Sequence, residues 1–123
     1  MIVMNLGVFR DALRRVATSG LLAERLIVFD FAMISPTTIA SYRGFYEQAA
    51  LGFSEDGSVT VRGLLSEIES AIGKKFTGWR GGDYLFDEGT ELWVANQGRT
   101  SNTRILDLAD YDDSWFVIRT ALL

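Results

Sequence analysis

Beyond Phe76 the sequence turns to β. Runs at Thr77–Phe86, Glu91–Ala95, Arg104–Leu108 and Ser114–Leu122 are cut by turn chemistry at Asp87-Glu88-Gly89, Gln97-Gly98 and Asp110–Asp113. Short strands joined by short turns pair with their neighbours, so this half of the chain reads as an antiparallel β-meander. A meander has at least one face to bury. The residues before it must supply the cover.

Two stretches are built to do so. Leu6, Phe9, Leu13 and Val16 recur at spacings of three and four, with Asn5 placed to cap and Gly20 to stop a first helix. Val61, Leu64, Leu65, Ile68 and Ile72 share one face between Thr60 as cap and Gly73 as stop, and Lys74 and Lys75 suit the negative carboxyl end of that second helix. Between them Arg25–Met33 is dense in Ile, Val and Phe with Asp30 as its one charge after Arg25, which predicts a buried strand ended by Pro36. Ser35–Gly44 reads as a loop. Phe45–Phe53 has room for a helical turn at its start and a short strand at Ala49–Phe53, before the turn at Glu55-Asp56-Gly57-Ser58. The expected fold is α+β, with two helices packed on one face of a mostly antiparallel sheet and a C-terminal half that is a β-meander. At 123 residues the chain is expected to form a single domain, 1–123. The other sheet face leaves apolar surface for a homodimer or a higher homo-oligomer.

The missing residue types limit the chemistry. With no cysteine and no histidine there is no thiol nucleophile, no disulfide, no thiolate site and no imidazole base, so an enzyme is not expected. Asp107, Asp110, Asp112 and Asp113 lack the spacing of a calcium loop, so neither a metal nor a cofactor is expected. No apolar run approaches the roughly 20 residues of a membrane span. The order of Met1–Arg15, apolar residues and then arginines, is wrong for a signal peptide, which points to the cytoplasm. A net charge of −4 argues against duplex nucleic acid as a partner. The cations are nevertheless mostly arginine, with only Lys74 and Lys75 as lysines, and a guanidinium fork suits a phosphorylated ligand as well as a solvated surface.

Three segments concentrate recognition chemistry. Phe76–Phe86 holds glycines at 78, 81 and 82 among Trp79, Tyr84 and Phe86, rings that can stack on a nucleobase or fill the core beside a glycine bulge. Trp93-Val94-Ala95-Asn96-Gln97-Gly98 ends a strand on Asn96, whose amide can read a base edge or make a turn. Ser41-Tyr42-Arg43-Gly44 offers Arg43 for a phosphate clamp or a surface salt bridge. Arg104 and Arg119, in the last strands, face either a pocket or, as solvated cations commonly do, water.

Ser41-Tyr42-Arg43-Gly44-Phe45-Tyr46, Phe76-Thr77-Gly78-Trp79-Arg80-Gly81-Gly82 and Thr90-Glu91-Leu92-Trp93-Val94-Ala95-Asn96-Gln97-Gly98 together resemble the first Thoeris anti-defence family, over roughly residues 26 to 120. Members are phage sponges, which bind cyclic ADP-ribose-type signals made by bacterial TIR enzymes without cleaving them. Some also look able to hold cyclic oligonucleotides. The resemblance implies action in the cytoplasm of the infected bacterial host, an oligomer of dimers and a pocket shared between subunits. It implies Arg43, Phe86 and Asn96 as ligand contacts, Arg119 as a weaker match, and Tyr84 and Trp79 on the same glycine-aromatic strand. The chain departs from the family at Thr120-Ala121-Leu122-Leu123, which carries no acid, and at Arg80, where lysine is frequent. The alternative is a protein-binding inhibitor of a bacterial defence complex, of anti-CRISPR or anti-restriction type, acting through the acidic cluster Asp107–Asp113.

Overall fold

The computed structural model describes residues 3–42, 45–77, 82–95, 103–111 and 114–122. In chain order its elements are α1 (Leu6–Ala17), α2 (Gly20–Ala23), β1 (Leu26–Phe29), β2 (Pro36–Tyr42), β3 (Phe45–Phe53), α3 (Val61–Ala71), β4 (Lys75–Thr77), β5 (Asp83–Leu85), β6 (Glu91–Val94), β7 (Thr103–Asp110) and β8 (Trp115–Leu122).

Both predicted helix starts hold. The side chain of Asn5 accepts from Val8 N at 2.8 Å, and that of Thr60 accepts from Gly63 N at 3.0 Å, each satisfying an amide that the first turn leaves without an intrahelical partner. The stops differ. Gly73, at φ 82°, turns the chain after α3 as expected and donates its N–H to Phe86 O at 2.7 Å. Gly20 stops nothing: α1 ends at Ala17 with Thr18 as its cap, and Gly20 opens the single turn of α2.

The main sheet has six strands in the order β1-β8-β7-β6-β3-β2, with β4 and β5 forming a separate hairpin. β6, β7 and β8 make the predicted antiparallel meander, with a register shift between Ile105 and Asp107. Two pairings are parallel and were not foreseen. β1 runs beside β8, Leu26 opposite Trp115, and β3 runs beside β6, Gln48 opposite Glu91. The connection from β3 to β6 carries α3 and the β4–β5 hairpin, and that from β1 to β8 carries all the elements between them, so both are long enough for a parallel crossover.

Within the stretch expected to be a loop, Ser35–Gly44, Pro36–Tyr42 is instead strand β2, and Phe45–Phe53 is strand from its first residue, with no helical turn. Regular pairing from Thr38↔Gly52 to Ser41↔Ala49 outweighs the modest β-propensity of Ala and Ser. Pro36 fits because it opens an edge strand, where its missing N–H costs little. Gly52 is fitted to this pairing, since a Cβ there would lie 2.2 Å from Thr38 Oγ1. Thr77–Phe86, expected as one strand, divides into β4 and β5, with Phe86 in an isolated bridge to Ile72.

One buried cluster joins both long helices to the sheet: Leu6, Phe9 and Leu13 of α1 and Val61, Leu64 and Ile68 of α3 meet Phe29, Leu51, Leu92, Val94, Ile105 and Ile118. The helices thus cover one sheet face, as the apolar stripes predict. The sheet curls so that its terminal strands approach. The rings of Phe29, on β1, and Phe53, paired to Pro36 of β2, lie 5.4 Å apart edge to face. Buried Ser35 ties the gap: its Oγ donates to Ile27 O at 2.6 Å and accepts from Val59 N at 3.0 Å. On the opposite sheet face Ala50 and Trp93 form a second small cluster, flanked by Val3 and Ala95.

Candidate functional site

Phe86 has no exposed surface. It packs against Phe76 and Tyr84, at centroid separations of 5.1 and 5.2 Å, and belongs to the main core. A ring without exposed surface cannot stack on a ligand, so the stacking role expected for Phe86 is corrected to a core role. The cause is local: after β5 the chain bridges Ile72, which sets the ring beneath the end of α3. Tyr84 is half-buried and stacked on Phe76 at 5.3 Å and 12°, so one of its faces is already covered.

Arg43, Trp79 and Asn96 lie outside the described residues. Their neighbours still fix a distance. Tyr42 pairs with Phe45 at the start of β3, whereas Ala95 N donates to Leu51 O near its end. Six residues of strand separate those points, about 20 Å at the usual rise. The strand ends that lead into Arg43 and Asn96 are therefore at opposite ends of β3 within one chain.

Arg119 is exposed, and its guanidinium donates through Nε and Nη2 to both carboxylate oxygens of Asp107, its partner across β7 and β8. Those hydrogen bonds hold the Asp107 carboxyl below its ordinary range and raise Arg119. Arg25 similarly grips Asp110. The described members of the Asp107–Asp113 cluster, Asp107 and Asp110, are thus each engaged in an exposed ion pair. Among the described residues no group of acidic side chains is arranged to hold a metal ion, and no helix is long and apolar enough to cross a membrane.

Two other places gather recognition chemistry. On the outer sheet face Arg104 stands directly across from Trp93, in a row that runs Ala40, Ala50, Trp93, Arg104 and Ala121. Arg104 is half-buried, and its Nε is shut off from solvent with no hydrogen-bond partner among the described residues. The indole N–H of Trp93 donates to Glu91 Oε1 at 3.2 Å. Alanines on both sides of the pair leave the row low. This row sits beside Ala95, where β6 leads into Asn96. Arg104 is thus partly drawn into the sheet at its Nε, which sequence alone could not decide because the register between β6 and β7 was unknown.

The second place lies between the edge strand β2 and α3. A cavity of about 410 Å³ there is floored by Ile39, Leu51, Leu64 and Ile68 and rimmed by Thr37, Thr60 and Glu67. A neighbouring cavity of about 220 Å³ shares Thr37, Ile39 and Glu67 and ends at Lys74 and Phe76, with the Lys74 ammonium 5.2 Å from the Phe76 centroid. This groove was not legible, because β2 reads as a loop. No protein-family model, no curated protein and no solved structure matches the chain.

Proposed function

We propose that the chain captures a small phosphorylated, nucleotide-type signal and holds it unchanged. The specific form suggested by the resemblance is a sponge for cyclic ADP-ribose-type signals in the infected bacterial cytoplasm, with cyclic oligonucleotides as a second ligand class. The supporting observation is Arg104. A guanidinium N–H closed off from water without an acceptor is costly to leave unmade, and a phosphate oxygen is the acceptor it best fits. Asn96 follows Ala95 at the same end of β6, so an amide for a base or ribose is close at hand in sequence.

Phe86 is no part of this site. Arg43 comes in sequence between β2 and the start of β3, about 20 Å of strand from the point beside Ala95, which favours a pocket in which a second copy of the chain contributes one of Arg43 and Asn96. Arg119 enters only if the ligand displaces Asp107.

Isothermal calorimetry with cyclic ADP-ribose isomers and cyclic oligonucleotides, followed by heating the protein and identifying the released ligand, tests the proposal. Saturable heat and intact ligand are expected, with Arg104→Ala weakening binding by at least about tenfold. No heat with any of these ligands sinks it. Release of a cleaved product would point instead to carboxylate hydrolysis.

A further inference from the structure

The two edges of the main sheet are treated differently. The outer edge of β1 is covered, with Ile27 N donating to Val59 O at 2.9 Å, Phe29 N to Ile34 O at 3.0 Å, and Leu26 bridged to Thr60. β2 is last at the other edge, and among the described residues no segment bonds to its outer side. Edge strands are usually protected by charge, yet Pro36–Tyr42 carries none. Its irregularities fall between Pro36 and Thr38 and between Ser41 and Tyr42, leaving Thr38–Ser41 in regular register. That stretch is a template for one more strand.

Beside this edge α3 stands far enough off to leave the two adjoining cavities, of about 410 and 220 Å³. We infer that this groove takes an extended peptide segment, which adds to β2 as an edge strand, drops an apolar side chain onto Ile39, Leu64 and Ile68, and sets a cationic side chain against Glu67. Main-chain bonds to β2 supply affinity and the pockets for alternate side chains supply selectivity.

The charge of the occupant follows from Glu67. It lines both cavities and takes part in no ion pair or side-chain hydrogen bond among the described residues, a state it shares with Glu55 and Asp56 of the turn before α3, neither of which lines these two cavities. The chain as a whole is acidic at −4. Lys74 closes the second cavity, so a carboxylate end of the segment belongs there, which sets its direction. A second copy pairing β2 to β2 sets no cation of that strand against Glu67, because Pro36–Tyr42 has none. The site is distinct from the outer-face row at Arg104: it lies on the helix-covered side, at the sheet's edge.

The probe is an N-acetylated octapeptide of alternating valine and threonine with one central lysine and a free C-terminal carboxylate, titrated into ¹⁵N-labelled protein. Amide shifts confined to β2 and α3 are expected, with saturation. Methylating the peptide amides along one edge should abolish binding while methylating the other edge leaves it, since only one edge faces β2. Replacing the peptide lysine by glutamate, or Glu67→Gln on the exposed face of α3, should weaken binding by about fivefold or more. Overturning results are no saturable shift, equal binding of the lysine and glutamate peptides, or indifference to methylation on both edges, as a small-amine site would show. β2 shifts that grow with protein concentration alone would make a second copy the occupant and end the proposal. Unchanged affinity for nucleotide signals in Glu67→Gln is expected, so failure here is separable from failure of the sponge.

Discussion

Replacing Phe86 by alanine removes a ring with no exposed surface from between Phe76, Tyr84 and the end of α3. The expected loss of stability is about 3–5 kcal/mol, the usual range for a buried aromatic, read as a shift in urea midpoint at unchanged slope. A loss below about 1 kcal/mol coupled to abolished ligand binding would return the ring to the site. Asp107 gives a pH test. Its folded carboxyl lies below 3.8, chiefly because of its hydrogen bonds from Arg119, so the pair's contribution is complete above the unfolded value and fades as pH falls through the folded one. Half-exposed, the pair contributes little. Asp107→Asn should therefore flatten the acid limb of the stability curve below about pH 4. Wild-type and variant curves that stay parallel through that range would show that the pair contributes nothing.

At the scale of elements, Ser35 joins β1 to the segment that leads into α3. Ser35→Ala leaves the Val59 amide without its acceptor inside the closed side of the sheet, at an expected cost of about 1–3 kcal/mol. Amide exchange should quicken first at Ile27 and Val59, the pair that the hydroxyl braces; unchanged exchange there would assign Ser35 no bracing role. The long helices were legible because Asn5 and Thr60 cap stripes of period 3.6, a signal carried wholly by local sequence. The meander was legible because turn residues mark its corners. β2 was not, because Thr, Ala and Ser become strand only through pairing with β3, a tertiary cause. The parallel pairings β1–β8 and β3–β6 have no local signature at all. The same limit governs the site. Alternation puts Tyr84 and Phe86 on one face but does not tell which face is core, and the Trp93–Arg104 juxtaposition depends on register.

For the whole molecule, the length of β3 has a consequence for assembly. The points of β3 beside Tyr42, which precedes Arg43 in sequence, and beside Ala95, which precedes Asn96, are about 20 Å apart in one chain. If capture requires both, each site is built from two copies, and in a two-fold dimer the two sites are equivalent. Arg43→Ala and Asn96→Ala are then each expected to bind no signal alone. Mixed in equal amounts and allowed to exchange subunits, they form heterodimers in which one site carries both substitutions and the other carries neither. With random exchange about half the dimers are mixed, so about a quarter of all sites recover wild-type affinity. Calorimetric stoichiometry measures that fraction directly. Zero recovery despite subunit exchange shown by native mass spectrometry would mean that Arg43 and Asn96 do not share a site. Full activity of either single variant would move the ligand away from that residue, leaving Arg104 as the anchor to be tested by itself.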